Sequence, residues 1–236
     1  MAGINDWNDL LAFKPPRRLQ GDLTIRTGGR IQFLEEGAGD VSLDIYPIKV
    51  DKLPDGFKSP EILLSTIRKD LNEFIDTDNT RFSLYDSNEE EEETNRRLWQ
   101  SETPLRTILH LDIHILRGTT FPINMEDATV VVTSATSSNW IFSTAYTRRN
   151  GYHPVCGNRE FGFITHSDGT FTFYTKGVDR VSGLMEFTAN KIDDLVLEGQ
   201  MQLWESFQTK VERFVNDSKG TAKSQRRTIE QQEFTG

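Results

Sequence analysis

One strand-like segment carries the side chains best suited to bind a metal. Residues 109–116 read LHLDIHIL, with strict alternation of apolar and polar residues. Because successive side chains of a strand point to opposite faces, His110, Asp112 and His114 share one face. Two imidazoles in this spacing can converge on one Zn²⁺, with Asp112 as a ligand or orienting group and His153 as a further ligand. The alternative is an amphipathic strand whose polar face meets solvent.

A second pair of residues, His153 and Cys156, has the types of a thiol nucleophile and its general base. Their spacing is tight in a loop that contains Pro154 and Gly157, and such partners usually lie far apart in sequence. A buried, unreactive Cys156 is therefore favoured. The sequence also lacks the glycine patterns of phosphate-binding and dinucleotide-binding loops. A non-catalytic protein without a cofactor is favoured, while enzyme activity and a zinc ion stay open.

Residues 161–175 predict a β-hairpin whose pattern selects the turn. A three-residue loop at 167–169 pairs Phe163 with Phe173, whereas a two-residue loop would leave apolar residues on both faces. Gly169 would then take the left-handed conformation that such loops need. The resulting aromatic face is either packed core or the floor of an apolar cavity. Its four members are Phe161, Phe163, Phe171 and Phe173.

Charged residues gather at the open end of this hairpin. Arg159 and Arg180 could grip a carboxylate or phosphate through paired N–H groups. They could equally pair with Glu160 and Asp179 and hold the turns in place. Together with the phenylalanines and Trp204, the two arginines form the candidate ligand site.

The elements that would position these residues follow from hydrophobic periodicity and turn signals. Helices are predicted at 5–13, 59–75 and 190–216, a hairpin at 22–34, and strands at 41–50, 107–116, 128–135, 140–148, 160–166 and 170–176. This order predicts an α+β fold, in which a curved antiparallel sheet packs against the long C-terminal helix. Residues 1–218 are expected to form one domain with an acidic solvated loop at 87–97, followed by a polar, disordered tail at 219–236.

Composition narrows the functional classes. The chain has 236 residues, a formal net charge of −9 and a pI near 5.0, which argues against nucleic-acid binding. Its single cysteine excludes an intrachain disulfide and fits a reducing compartment. No apolar run approaches the about 18 residues of a membrane span, and the N-terminus lacks a secretory signal. A cytoplasmic protein, or one exported without a Sec signal peptide, is expected.

Two resemblances add to these patterns. Residues 153–162 (HPVCGNREFG) and 171–180 (FTFYTKGVDR) resemble a motif of uncharacterised bacterial proteins, HPVSGNREFG…FYTRGVDR. Cys156 stands where that motif has serine, which counts against an essential cysteine, and the resemblance implies no particular activity. Separately, the order of elements is similar to that of helix-grip (START-like) domains. That likeness implies a sheet wrapped around a long C-terminal helix, enclosing an apolar cavity.

Three functions remain open at this point. The favoured one is a non-catalytic protein that holds a small hydrophobic ligand between the sheet and the C-terminal helix, with Arg159 or Arg180 at the mouth. The second is a cargo, effector or interaction protein of a bacterial delivery or toxin system, which fits the acidic composition and polar tail. The third is a metal-dependent hydrolase. The partner is accordingly a small hydrophobic molecule or a protein, and the oligomeric state is open.

Overall fold

The computed structural model describes residue 4 and residues 6–114, 126–183 and 191–235. The α-helices in these ranges are α1 (Asn8–Leu11), α2 (Arg17–Thr27), α3 (Pro60–Lys69), α4 (Glu89–Gln100) and α5 (Lys191–Asp217). The strands are β1 (Arg30–Ile31), β2 (Gly37–Lys52), β3 (Thr80–Leu84), β4 (Ile108–Ile113), β5 (Asp127–Ala135), β6 (Asn139–Tyr146), β7 (Val155–Thr165), β8 (Phe171–Ser182), β9 (Thr221–Ser224) and β10 (Thr228–Gln232).

These strands form a curved antiparallel sheet on which the C-terminal helix packs. The order along the sheet is β10-β2-β8-β7-β6-β5-β4-β3, while β1 pairs with β6 and β9 pairs with β2. Helix α5 packs on the concave face through Trp204, Phe207 and Val211, which join the main core cluster. The predicted α+β fold is confirmed. Among the described residues, no helix is long and apolar enough to cross a membrane.

Strand β2 shows how the sheet is buried on both faces. Tyr46, Ile48 and Val50 point into the main core beneath α5. Leu43 and Ile45 alternate with them and pack on the other face against Trp7 and Leu10 of the N-terminal segment. Because the period of a strand is two residues, each register position has a fixed face.

The predicted aromatic hairpin is confirmed in its register. Strands β7 and β8 pair Phe163 with Phe173, and residues 167–169 form the loop. Gly169 has a φ of +83°, in the region that favours glycine. Three of the four phenylalanines lie in the main core and Phe171 packs at its edge.

The hairpin predicted at 22–34 is wrong. Residues 17–27 form α2, which ends at Gly28 with a left-handed φ of 63°. Leu19 and Leu23 lie four residues apart on the buried side of this helix, whereas Ile25 is 87% exposed. The apparent alternation of Leu23 with Ile25 therefore combined a core residue with a solvent-facing one. Only the two residues of β1 enter the sheet from this segment.

The acidic loop predicted at 87–97 is also wrong, because most of it is helix α4. Asn88 caps the helix by accepting a hydrogen bond from the backbone N–H of Glu91 at 2.9 Å. The acidic first turn interacts favourably with the positive end of the helix dipole. Arg26 of α2 donates to Glu91 through Nη2–Oε1 at 2.5 Å and Nε–Oε2 at 3.2 Å, and Trp99 is buried. Capping and anchoring thus outweigh repulsion among the glutamates.

The tail predicted to be disordered at 219–236 instead supplies strands β9 and β10, both paired with β2. Strand β2 has an outer edge whose backbone groups need partners, which a largely polar strand can supply. Gln208 of α5 ties this edge to the helix by donating to Pro47 O at 2.6 Å and Gln225 O at 2.8 Å. The predicted boundary after residue 218 therefore does not mark the end of the sheet.

Other predicted elements are present with shifted limits. The first helix is shorter than the predicted 5–13, and the helix predicted at 59–75 is α3 followed by a 3₁₀ turn at Leu71–Phe74. The five strands predicted after residue 106 are β4 to β8. Some predicted positions lie outside the described part of the chain. They are residues 115 and 116 of the strand predicted at 107–116, residue 190 of the C-terminal helix, and the side chains of 191–196.

Candidate functional site

A cavity of about 100 Å³ lies between the sheet and α5. Strands β3 to β6 and α5 build its apolar wall, in which the principal side chains are Phe82, Leu111, Val130, Phe142 and Leu203. Residues with polar side chains on β7, β8, α5 and the segment before β7 line another part of it. These are His153, Asn158, Arg159, Asp179 and Gln200.

Arg159 lies in a row of directly opposed residues that crosses four strands. Phe142 on β6 opposes Arg159, which opposes Gly177 on β8, which in turn opposes Asp44 on β2. Since Gly177 has no side chain, the guanidinium extends across β8 and its Nη2 reaches Asp44 Oδ2 at 2.7 Å. Asp179 Oδ2 lies 3.9 Å from the same nitrogen.

Helix α5 closes over this ionic cluster, defined here as Arg159, Asp44 and Asp179. The centre of the Arg159 guanidinium lies 4.4 Å from the centroid of the Trp204 ring, a cation–π contact. Gln200 Nε2 donates to Asp179 Oδ2 at 3.0 Å. The cluster therefore joins α5 to the centre of the sheet as well as bordering the cavity.

The ionic cluster is buried and incompletely partnered. The three side chains are 8%, 7% and 6% exposed for Arg159, Asp44 and Asp179. Burial raises the pKa of Asp179 to about 7, and the nearby Asp44 adds to this, while Arg159 opposes it. Within the described residues, Asp44 Oδ1, Asp179 Oδ1 and Trp204 Nε1 have no hydrogen-bond partner. Buried polar atoms without partners are uncommon in folded proteins, so these three call for an explanation.

His153 borders the cavity as a neutral ring. Its burial lowers the pKa to about 4, and the ring accepts a hydrogen bond from the backbone N–H of Val155. That N–H donates to Nδ1 at 3.1 Å, so the proton of the neutral ring is on Nε2. Gln32 holds the backbone in place, because its Oε1 accepts from His153 N at 2.7 Å.

This pKa predicts a specific pH dependence of stability. The unfolded imidazole titrates near 6.5 and the folded one near 4, so the contribution of neutral His153 is complete above pH 6.5 and falls as the pH drops toward 4. We expect the free energy of unfolding to fall by about 1.4 kcal/mol per pH unit within this window, relative to His153→Asn. Urea denaturation of both proteins checks this. Asp179 titrates in the opposite sense but is common to both, and parallel curves would contradict the prediction.

The proposed metal ligands are not brought together. His110 contacts Asn150 Nδ2 through Nδ1 at 2.9 Å and Asp127 through Nε2 at 3.3 Å, and His114 Nε2 lies 3.1 Å from Asp112. His110 and Asp112 alternate with the cavity residue Leu111, which places them on the other face of β4 from His153. In the part of the chain that the structure describes, no group of three or more His, Cys, Asp or Glu side chains could hold a metal.

The predicted ligand residues separate into two groups. Arg159 and Trp204 border the cavity, whereas the four phenylalanines pack in the core beside it; Phe161 stacks on Trp140 with centroids 4.7 Å apart. Arg180 follows Asp179 in the strand and faces the other way. It donates to Gly39 O and Leu34 O, each at 2.9 Å. The two arginines therefore do not form a joint anion clamp.

Sequence reasoning missed Asp44, which completes the ionic cluster, and Gly177, whose lack of a side chain leaves room for the guanidinium. A signal for Asp44 was present, since within the predicted strand at 41–50 it is the one charged residue on the face shared by Tyr46, Ile48 and Val50. A charge in such an apolar row points to a buried partner. Nothing local in the sequence indicated that this partner is Arg159.

No family model and no curated protein matches this chain. Several solved structures are similar in outline. One is the KanY protein, with 9% identity over 76% of this chain and 99% of that chain and a TM-score of 0.44. Another is a START superfamily protein from Mycobacterium smegmatis, with 10% identity over 75% and 99% of the two chains and a TM-score of 0.39. The di-domain ARO/CYC StfQ from the steffimycin biosynthetic pathway matches at 9% identity over 75% and 52%, with a TM-score of 0.41. Similarity this low carries no inference about function, which rests on the cavity.

Proposed function

We propose that the protein binds a small, largely apolar molecule in the cavity between the sheet and α5. One observation carries this proposal: an apolar cavity of about 100 Å³ borders on buried polar atoms that lack hydrogen-bond partners in the described structure. Mostly apolar walls with a few placed polar groups are typical of small-molecule sites. The alternatives of a metal-dependent hydrolase and of an effector protein gain no comparable support from the described residues.

The volume of the cavity supports a ligand rather than a packing defect. Protein interiors are close-packed, with few voids larger than a water molecule. An engineered apolar cavity of about 150 Å³ in another protein accepts benzene, so this smaller cavity suits a short branched chain or at most a single ring.

The residues that line the cavity would contact different parts of the ligand. Phe82, Leu111 and Phe142 would contact the apolar body of the ligand. Among the described residues, Asp179 Oδ1 and Trp204 Nε1 find no hydrogen-bond partner, and a polar end of the ligand would satisfy them. Hydrogen bonds from the ligand to these atoms would offset the free-energy cost of burying them without partners.

Replacing Val130 with phenylalanine is expected to abolish ligand binding. Val130 lines the cavity, and the added ring would occupy the space of the ligand. Two measurements apply: native mass spectrometry of gently purified protein, which would show a co-purifying mass, and NMR titration with toluene as an apolar probe. We expect the wild type to bind toluene and the variant not to bind it.

Val131→Phe provides the matched control. Val131 is the next residue of β5 and packs on the other face, in the cluster with Leu23 and Ile31. Both substitutions overfill a core and should cost about 1–3 kcal/mol of stability. Only Val130→Phe should lose toluene. If both variants bind toluene as the wild type does, or if the wild type binds none, the proposed site is wrong.

A further inference from the structure

The cavity borders a buried cluster that carries one negative charge in excess when both of its carboxylates are ionised. Asp44 and Asp179 are two carboxylates, and Arg159 supplies one guanidinium between them. Of the described residues that line the cavity, only Arg159 and Asp179 can carry a charge near neutral pH. His153 also lines the cavity, but it stays neutral in this range. Buried charges in proteins are normally paired or neutralised, so the excess charge calls for either a proton on Asp179 or a positive partner.

Asp179 also has a free acceptor. Its Oδ2 accepts from Gln200 and lies near Arg159, whereas Oδ1 has no partner among the described residues. The residue is only 4% exposed, so bulk water does not replace that partner. An ionised carboxylate accepts hydrogen bonds through both oxygens, and one that is buried with an oxygen unpaired is costly.

The structure favours a positively charged ligand, whereas the sequence suggested a negatively charged one. Arg159 alone suggests a carboxylate or phosphate ligand. Its guanidinium, however, already pairs with Asp44 at 2.7 Å, contacts Thr175 Oγ1 at 3.3 Å and stacks on Trp204. An anionic ligand would add a second excess negative charge to a buried site, which desolvation and repulsion both oppose.

We infer that the ligand is a small amine, whose ammonium group donates to Asp179 Oδ1 while its apolar body fills the cavity. This inference rests on the proposed function and adds the chemical class of the ligand. An ammonium brings three N–H donors and one positive charge, which neutralises the cluster. The cavity volume limits the body to a short branched chain or at most one ring.

A proton on Asp179 would compete with the ammonium. The charged groups around Asp179 are Asp44 on β2 and Arg159 on β7, and α5 contributes the uncharged Gln200. Since burial holds the pKa of Asp179 at about 7, an amine should bind more weakly as the pH falls below that value. His153 does not titrate in this range.

Four probes that share one ring test the inference: toluene, benzyl alcohol, benzylamine and benzoate. Calorimetric titration at about pH 8 should show benzylamine binding tightest, roughly 10- to 100-fold tighter than benzoate or toluene. At about pH 6 the affinity for benzylamine should fall about tenfold, because Asp179 is then mostly protonated, while that for toluene should not change.

Two variants separate the contribution of Asp179 from general effects. Asp179→Asn keeps the shape and removes the charge, so benzylamine should lose its advantage while toluene still binds. Glu160→Gln removes another buried carboxylate of the same hairpin, which accepts from Tyr174 and does not line the cavity. The advantage of benzylamine should survive in this control. Melting curves establish that both variants are folded.

Different results contradict the amine inference and the proposed function. The amine inference is overturned if benzoate binds as tightly as benzylamine, or if Asp179→Asn keeps the full preference for benzylamine. In either case toluene binding would leave the proposed function intact. If none of the four probes binds the wild type, the proposed function fails and the inference fails with it.

Discussion

Replacing Arg159 with methionine is expected to lower the free energy of unfolding by about 3–5 kcal/mol. Methionine can fill much of the same space but leaves Asp44 and Asp179 buried without a cation. It also removes the contact of the guanidinium with Trp204, which joins α5 to the sheet. Urea denaturation at about pH 8, where Asp179 of the wild type is largely ionised, measures the loss.

Two further variants give this prediction its controls. Arg180→Met changes the arginine on the opposite face, whose partners are two backbone carbonyls and the Phe234 ring, and should cost about 1–3 kcal/mol at most. Adding Asp44→Asn to Arg159→Met removes one uncompensated charge and should restore part of the lost stability. An Arg159→Met variant as stable as the wild type would contradict the structural role of the ionic cluster.

Alanine at position 177 is expected to cause a loss of similar size, about 3 kcal/mol or more. The new methyl group would lie 2.2 Å from Arg159 Nη2, 2.7 Å from its Cζ and 3.0 Å from Asp44 Oδ1. The guanidinium would have to leave its position. It would then lose both its ion pair with Asp44 and its cation–π contact with Trp204. Denaturant unfolding and thermal melting both report the change.

Gly21→Ala is the matched control for this substitution. Gly21 lies within α2, and a methyl group there would have no atom within 4 Å. Alanine should stabilise that helix by about 0.5–1 kcal/mol, opposite in sign to the effect at Gly177. In an Arg159→Ala background the clash disappears, so Gly177→Ala should become mild. Fully additive effects in this double-mutant cycle would show that the two residues are not coupled.

The α+β architecture and the aromatic hairpin could be predicted because their signals are local. Alternating residues in the segments of β4 to β8, and the residues at 167–169, set strand faces and turn length within a short stretch of chain. The helix at 17–27, α4 and the strands of the tail could not be predicted in this way. Each depends on a distant partner, such as Arg26 for Glu91 in α4 or β2 for the tail.

The candidate site, like the fold, could be predicted from the sequence only in part. By itself the sequence determined the fold class and the register of the hairpin, and it named Arg159 and Trp204 among the candidate ligand residues. Only the tertiary structure decided that Arg159 pairs with Asp44, 115 residues away, rather than with an anionic ligand. That pairing requires β2 beside β8 and β8 beside β7, with a glycine between the two charges. Strand faces follow from backbone geometry over a few residues, whereas strand order and charge partners are set by how the whole chain packs.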